Sequence, residues 1–405
     1  MKLSEQFILN ILKKSLFDLE ISEHKLEAID WKGVFLEAKH HTVLPLVLQE
    51  IVSSSKEYKV EESVLKRWKA AVSYQVATNH KLMYWQDRVI ELLEKSDIPY
   101  AVLKGTSVSC CYKKPELRVL GDIDLLFNAS DCQKATDLLC ENGYENLNLN
   151  LAIHEAVQQK GVRIEPHYMV AEIPDNKAGE NIKAFFADAL DWVEAEKIIP
   201  YSFNVLSPRH QFVALLLHME RHLSHDGIGL RQLSDWAMFI NARINNELWE
   251  NQVKPVLKTF GLLKFAQVIT KVCVLYLGLD SVKFNWCMEA DDKLCTGIML
   301  SILRSGNMGR KASDNVMVRR LSASESEHNS VFRNFFFHIC FLANRDFPIC
   351  KKFPFILPLV WLYIPIRQVF RIIMGKRKKQ IVLKTFHEAK KQQNIYKDLR
   401  LYVTD

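Results

Sequence analysis

The sequence lacks the paired cysteines that indicate a metal-binding or disulfide-bonded framework. Nine cysteines are scattered over 405 residues, and none forms a CxxC pair. Cys110 and Cys111 are neighbours in the chain, which is a poor geometry for an ordinary disulfide. The pattern predicts neither a cysteine zinc site nor a disulfide-rich secreted domain, and it indicates reduced thiols in the cytoplasm.

The sequence also lacks a convincing membrane segment. The stretch FPFILPLVWLYIPI, 353–366, carries no charge, but it contains three prolines. As a helix it would reach about 21 Å, short of the ~30 Å hydrocarbon layer of a bilayer. The first 25 residues show a helical apolar stripe interrupted by charges, and no small-residue cleavage site follows. We therefore predict neither a transmembrane span nor a signal peptide.

No large excess of charge of one sign is present. The formal net charge is +7, and contents of 48% hydrophobic and 25% charged residues are ordinary for a globular protein. This balance argues against an acid-rich disordered chain and does not predict nucleic-acid binding. The basic end, RQVFRIIMGKRKKQ (367–380), leaves several interpretations open: contact with a membrane surface, with nucleic acid or with an anionic acceptor, or an amphipathic helix docked on the protein.

Glycine and proline are scarce in the first 95 residues, where Gly33 and Pro45 alone interrupt an apolar pattern typical of helices. The pattern changes at about residue 97 and returns to helical stripes after about residue 180. We predict an N-terminal helical region (1–95), an α/β core (96–175), a helical domain (176–304), a flexible loop (305–330) and a basic helical C-terminal region (331–405).

The α/β core is predicted from short apolar segments that alternate with helical patterns. PYAVLKG (99–105) and VLGDIDLLF (119–127) are typical of strands, and NASDCQKATDLLCENGY (128–144) is typical of a helix. AVQQKGVRIEPHYMV (156–170) predicts a hairpin that turns near Lys160 and Gly161. The fold class predicted is α+β, mostly helical, with one small α/β domain flanked by helical regions.

Two carboxylates stand inside the otherwise apolar strand VLGDIDLLF. Because strand side chains alternate between faces, Asp122 and Asp124 share one face, and Ile123 and Leu125 share the other. Glu165, in the later strand VRIEPHY, could place a third carboxylate beside them. Neighbouring carboxylates repel each other, and a divalent cation such as Mg²⁺ relieves the repulsion. The alternative is a pair of solvated acids at a strand end.

A glycine turn precedes the aspartates. Gly105 is followed by Thr106 and Ser107, and backbone N–H groups at such a helix start suit a phosphate group. Lys104 and Arg118 flank the turn and the aspartates, where the charge of a triphosphate would need neutralising. Strand–glycine–helix turns also occur without phosphate ligands, and each cation also fits a simple surface position.

The segment AVLKGTSVSCCYKKPELRVLGDIDLLF (101–127) resembles the signature of an uncharacterised bacterial nucleotidyltransferase family in the DNA polymerase beta-like superfamily. The later hairpin and the helical stretch HMERHLSHDGIGLRQLSDW (218–236) have counterparts in the same family. The matching residues are Leu103-Lys104-Gly105, Tyr112, Arg118, Asp122-Ile123-Asp124-Leu125-Leu126, His154, Glu165 and His167.

The resemblance implies an enzyme that moves a nucleoside monophosphate (NMP) from an NTP to an unidentified hydroxyl acceptor, with polysaccharide biosynthesis as one setting. It implies two Mg²⁺ or Mn²⁺ ions bound by the catalytic acids Asp122, Asp124 and Glu165. It further implies that the nucleotide is bound by Lys104, Gly105, Thr106, Ser107, Arg118 and His167.

Two alternatives to this activity remain open. One is a catalytically idle relative that acts as a binding or scaffold protein, and the other is a protein-modifying enzyme that adds AMP to Tyr, Ser or Thr. The acceptor is accordingly a small molecule, a glycan or a protein, and nucleic acid is not expected. The predicted location is cytoplasmic, with peripheral membrane contact through the basic C-terminal region as an alternative.

Three histidines recur on one helix face in the stretch 218–236. His218, His222 and His225 lie at i, i+4 and i+7, and Asp235 follows ten residues later. Three interpretations are open for His218, His222 and Asp235: a substrate pocket, a zinc site, or ordinary packing and capping.

Overall fold

The structure is a computed structural model. It describes residues 1–20, 29–54, 58, 60–149, 153–311, 340, 343, 347, 354–373 and 379–404. The protein is α+β and mostly helical, which confirms the predicted fold class. Most of the predicted loop 305–330 and the first residues of the predicted C-terminal region lie outside the described residues.

The helices fall into groups along the chain. Before the sheet they are α1 (Leu3–Phe17), α2 (Trp31–His40), α3 (Leu44–Ser53) and α4 (Glu62–Lys95). Between the strands they are α5 (Thr106–Ser109), α6 (Ala129–Glu141) and α7 (Lys177–Phe186). After the sheet come α8 (Pro208–Ser224), α9 (Leu230–Arg243), α10 (Asn246–Leu248), α11 (Lys254–Phe260), α12 (Leu263–Leu277) and α13 (Asp292–Ser305), and later α14 (Leu357–Ile373) and α15 (Lys379–Leu399).

The strands form one mixed sheet. They are β1 (Ala101–Val102), β2 (Ile123–Leu126), β3 (Glu145–Asn146), β4 (Val157–Gln159), β5 (Val162–His167), β6 (Val193–Ile198) and β7 (Tyr201–Leu206). Their order across the sheet is β3-β4-β5-β2-β1-β7-β6. The predicted hairpin is present as β4 and β5, with Lys160 and Gly161 at the turn in positive φ.

The expectation that the chain is helical from residue 180 to 300 is wrong at 193–206. These residues form the antiparallel hairpin β6–β7, and β7 lies parallel to β1, so the sheet extends beyond the predicted core. The sequence VEAEKI of β6 carries Glu, Ala and Lys, which favour helices in isolation. Pairing with distant strands decides its structure, and no local pattern encodes that pairing.

The two faces of the sheet have different surroundings. Ile123 and Leu125 of β2 face a buried cluster that includes Val89 and Leu93 of α4 and Leu139 of α6. Because alternation sends Asp122 and Asp124 to the opposite face, the carboxylates point toward the side of the sheet away from α4 and α6. Because α4 covers one face of the sheet, only the opposite face, which carries Asp122 and Asp124, can form an active site.

Helix α4 also holds the loop that leads into β2. Asn79 is fully buried, and its Nδ2 donates to the carbonyls of Glu116 (2.8 Å) and Arg118 (2.9 Å). Its Oδ1 accepts from the backbone N–H of Leu120 at 2.9 Å. Three hydrogen bonds from one amide therefore position the chain directly before Asp122.

No single helix among the described residues is long and apolar enough to cross a membrane. The bent pair Asn246–Phe260 and Leu263–Leu277 passes the same test of length and composition only when its two halves are taken together.

The buried His41, just after α2, predicts an acid-sensitive fold. Burial, with Lys311 and His40 nearby, lowers the pKa of His41 from 6.5 to about 3. The neutral ring accepts a hydrogen bond from the backbone N–H of Leu230 at its Nδ1 (3.2 Å). Below pH 6.5 His41 is protonated in the unfolded chain but stays neutral in the folded chain. The free energy of unfolding therefore falls by about 1.4 kcal/mol for each pH unit below 6.5.

This effect is measured by chemical denaturation of the wild type and His41→Asn at pH 6.5 and pH 5. The wild type should lose about 2 kcal/mol more of its unfolding free energy than the variant over this interval. The exposed His80→Asn serves as the control and should follow the wild type. A difference between wild type and His41→Asn that does not change with pH would contradict the prediction.

Candidate active site

The structure brings the three predicted acids together. Parallel pairing of β2 with β5 sets Asp124 opposite Glu165, and Asp122 directly precedes β2. Carboxylate oxygens of all three residues lie within 4.8 Å of one another. The convergence depends on the register of two strands that are some 40 residues apart in the chain.

The two aspartates differ in their electrostatic surroundings. Asp124 is buried (3% exposed), and its Oδ1 lies 2.9 Å from Lys104 Nζ and 3.0 Å from His167 Nε2. Burial alone would raise the pKa of Asp124, but Lys104 and His167 outweigh it and hold that pKa well below its usual range. The negative charge of Asp124, followed by burial, raises the pKa of Asp122.

Glu165 is surrounded by cationic and imidazole groups. Its Oε1 lies 2.8 Å from Arg163 Nε, and its Oε2 lies 3.3 Å from His154 Nε2 and 3.5 Å from His167 Nε2. The rings of His154 and His167 are stacked, with centroids 4.4 Å apart. His167 therefore contacts carboxylates, although it was predicted to bind the nucleotide.

The acidic group fits a hard divalent cation. Mg²⁺ is bound in proteins through one or two carboxylates plus water and phosphate oxygens. Asp122, Asp124 and Glu165 offer carboxylate oxygens close enough to share an ion. Asp124 raises the pKa of Asp122 because the two carboxylates repel each other, and an added cation would relieve this repulsion.

A cavity of about 230 Å³ opens beside Asp122 and Asp124, whereas Glu165 is not among its lining residues. It lies between the sheet and the helices α8 and α9, which supply its opposite wall. The predicted site residues that line it are Lys104, Gly105, Arg118, Asp122, Asp124, His218, His222 and Asp235. Residues that the sequence did not indicate complete the lining, among them Thr42, Gln75, Arg231, Gln232, Asn307 and Arg310.

A family model described as an uncharacterised nucleotidyltransferase matches residues 27–278, which is more than half of the chain. The chain belongs to this nucleotidyltransferase family. No curated protein matches it. The matched segment contains the whole sheet and the three acids, whereas Asn307 and Arg310 of the cavity lie beyond it.

In this family member, only the first residue of the turn Gly105-Thr106-Ser107 lines the cavity. Gly105 lines the cavity with φ +63°, a conformation that side-chain-bearing residues rarely adopt. Thr106 and Ser107 are buried: the Thr106 hydroxyl donates to Gln86 Oε1, and Ser107 Oγ accepts from Gln211 Nε2 (3.0 Å). Their role in binding phosphate stays a prediction, and it would require these bonds to be exchanged.

Arg118 is held by Asp235 in a buried ion pair. Its Nη2 lies 2.6 Å from Asp235 Oδ2, and its Nε donates to Oδ1 at 3.0 Å. The Tyr112 hydroxyl donates to the same Oδ1 at 2.8 Å. Arg118 was predicted to bind the nucleotide and Asp235 to line a substrate pocket, but the two form one ion pair at the cavity wall. The Tyr112 hydroxyl is the third member of this hydrogen-bonded group.

The three histidines in and directly after α8 are not equivalent. His218 and His222 line the cavity, with ring centroids 4.4 Å apart, and burial lowers the pKa of both below the usual value. His225 is exposed at the end of the helix, where its Nδ1 lies 3.0 Å from the Arg221 carbonyl. Within the described part of the chain, none of the three joins a group of potential metal ligands. The substrate-pocket role of His218, His222 and Asp235 stays a prediction.

The cations that the sequence did not indicate lie across the cavity. Arg231 of α9 donates from Nη1 to the Val119 carbonyl (3.2 Å), and Arg310 donates to Thr42 Oγ1 (3.4 Å). Burial, and then the nearby Arg118, lower the pKa of Arg231 to about 10. Neither arginine pairs with a carboxylate in the ranges that the structure describes. Arg231 lies inside the quoted stretch 218–236, whereas no sequence signal indicated Arg310.

Proposed function

We propose that this protein transfers a nucleoside monophosphate from an NTP to a hydroxyl acceptor, with divalent cations held by Asp122, Asp124 and Glu165. The convergence of the three acids, two of which line the cavity, in a chain of the nucleotidyltransferase family carries the proposal. Bound Mg²⁺ or Mn²⁺ would neutralise phosphate charge and favour ionisation of the attacking hydroxyl.

The reaction breaks a phosphoanhydride bond of the NTP and forms a phosphoester bond to the acceptor. The acceptor oxygen forms a bond to the α-phosphorus, the bond from that phosphorus to the bridging oxygen breaks, and pyrophosphate leaves. The hydroxyl proton passes to a carboxylate, for which Glu165 is the proposed acceptor, or to water. The transition state needs positioned charge more than a covalent nucleophile, so no serine or cysteine nucleophile is invoked.

The chain provides its own cations for the phosphate groups. Lys104 lies at the cavity beside Asp124, and burial, which would lower its pKa, is outweighed by Asp124 and Asp122, which raise it. It therefore stays charged. Arg231 and Arg310 face the same cavity without carboxylate partners among the described residues, so they replace Arg118 as the proposed counter-charges for a triphosphate.

The proposal is tested with the purified full-length chain and each of the four NTPs in turn. With Mg²⁺ or Mn²⁺ present, at least one NTP should raise the unfolding temperature. At an NTP concentration a hundred times Kd, the expected gain in the free energy of unfolding is about 2.7 kcal/mol. Adding a small-molecule extract with that NTP should then release pyrophosphate. The nucleoside monophosphate with the same base, which lacks the leaving group, is the matched control ligand.

The alternatives give different results in the same assay. Metal-dependent NTP binding that never leads to pyrophosphate release, with any extract, would favour an idle binding protein. Labelled nucleotide appearing on protein bands would favour a protein-modifying enzyme, and label on a small molecule or glycan would favour the proposal. If no NTP changes the unfolding temperature with either metal, the proposed function is wrong. The predicted cytoplasmic location belongs to this proposal and is tested by cell fractionation.

A further inference from the structure

Two imidazoles meet the carboxylate of Glu165 beside Asp124, and the proposed transfer reaction uses the carboxylate but not the imidazoles. His154 Nε2 lies 3.3 Å from Glu165 Oε2, and His167 Nε2 lies 3.5 Å from the same oxygen. One ligand atom of each of these three residues lies within 4.8 Å of the others. Asp124 Oδ1, 3.0 Å from His167 Nε2, adjoins the group as a fourth donor.

These separations are those of ligands around a small metal ion. A zinc-type ion binds histidine nitrogen and carboxylate oxygen at about 2.0–2.2 Å, so neighbouring ligands in a tetrahedral sphere stand about 3.3–3.5 Å apart. The two measured distances to Glu165 Oε2 fall in this interval. Each imidazole therefore already stands at ligand spacing from the Glu165 carboxylate.

The backbone, rather than a chance side-chain orientation, positions the two imidazoles. His154 pairs with His167 in an isolated antiparallel bridge. Two backbone hydrogen bonds flank the bridge, from Glu155 N to the Pro166 carbonyl (2.9 Å) and from Tyr168 N to the Ile153 carbonyl (3.2 Å). His167 is buried, whereas the side chain of His154 is 12% exposed and leaves a path from solvent.

We propose that His154, Glu165 and His167 form a binding site for a divalent transition-metal ion of the Zn²⁺ or Co²⁺ type, with Asp124 as the fourth donor. Imidazole nitrogen selects such ions, whereas Mg²⁺ prefers an all-oxygen set. The site shares Asp124 and Glu165 with the acids assigned to Mg²⁺, but its metal class is set by the histidines. The proposal goes beyond nucleotidyl transfer, since it concerns metal binding without a nucleotide.

The test uses the full-length chain stripped of metal with EDTA and titrated with Co²⁺ in the absence of nucleotide. The wild type should bind Co²⁺ with a visible d–d absorption band of the kind that nitrogen ligands produce. Zn²⁺ should abolish this band, and a large excess of Mg²⁺ should leave it unchanged. Elemental analysis after gel filtration should find retained zinc.

Variants locate the ion. His154→Ala and, independently, Glu165→Gln should weaken Co²⁺ binding at least about tenfold and alter the band. His80→Ala, at an exposed histidine of α4, is the matched control and should bind as the wild type does. Circular dichroism confirms that each variant is folded. A folded His154→Ala chain decides the comparison, because Glu165 also belongs to the acids assigned to Mg²⁺, and the Mg²⁺ competition with the wild type needs no variant.

The proposal is overturned if the wild type takes up no Co²⁺, if Mg²⁺ displaces it, or if a folded variant keeps the wild-type spectrum. The imidazoles would then act only as hydrogen-bonding partners of the carboxylates. Because no nucleotide is present, failure of this site is distinguishable from failure of the proposed transfer reaction. Co²⁺ uptake without NTP turnover would contradict only the latter.

Discussion

Replacing Asp124 by asparagine is expected to reduce nucleotidyl transfer by about a thousandfold or more. Asp124 is the most enclosed of the three acids, and its carboxylate contacts Lys104 and His167 as well as the proposed cation site. A catalytic metal ion stabilises a transition state by several kcal/mol, and each 1.4 kcal/mol corresponds to about tenfold in rate. Pyrophosphate release under saturating NTP measures the loss.

Two companion variants make this result interpretable. Asp122→Asn removes a more exposed acid with fewer protein contacts, so it should reduce transfer similarly at a smaller cost in stability. Asp137→Asn, on the exposed face of α6, is the matched control and should retain wild-type activity. Full activity in a folded Asp122→Asn or Asp124→Asn chain would place the chemistry elsewhere in the molecule.

Removing the carboxylate of Asp235 is expected to destabilise the fold by about 3–5 kcal/mol, because it leaves the buried Arg118 without its counter-charge. Arg118 is 4% exposed, and Tyr112 loses the acceptor of its hydroxyl in the same change. Chemical denaturation of Asp235→Ala against the wild type measures the effect. We expect Asp235→Ala to lose nucleotidyl transfer as well, as a consequence of its lower stability.

A double variant separates the charge from the packing. Arg118→Met combined with Asp235→Leu removes both charges and keeps apolar volume, so it should recover most of the lost stability. As a control, Glu180→Ala breaks the exposed pair with Lys177 and should cost less than about 1 kcal/mol. A double variant as unstable as Asp235→Ala would show that the pair is not the cause.

The site could be predicted in part from the sequence because its central residues lie in a local pattern. Asp122 and Asp124 are two residues apart in an apolar strand, and alternation alone places them on one face. Glu165 stands in the same kind of pattern in a later strand. The sequence could not show that β2 and β5 are parallel neighbours in the register that sets Asp124 opposite Glu165.

Other parts of the site depend on residues that are remote in sequence. Asn79 positions the loop before Asp122 from the middle of α4, and Arg310 reaches the cavity from beyond the segment that the family model matches. The partnership of Arg118 with Asp235 joins residues 117 positions apart. In each case one side chain contacts residues that are far away in the sequence, and no spacing pattern in the chain predicts such a contact.

The sequence by itself determined the local elements: the helical pattern before the sheet, the hairpin β4–β5, and two acids on one face of a strand. Each of these follows from periodicity and turn residues that act over a few positions. Only the tertiary structure decided that β6 and β7 complete the sheet, that Arg118 is paired rather than free for phosphate, and that His154 meets Glu165. The physical reason is that strand pairing and burial join residues far apart in the chain, and the free energy of such contacts depends on the whole packed fold.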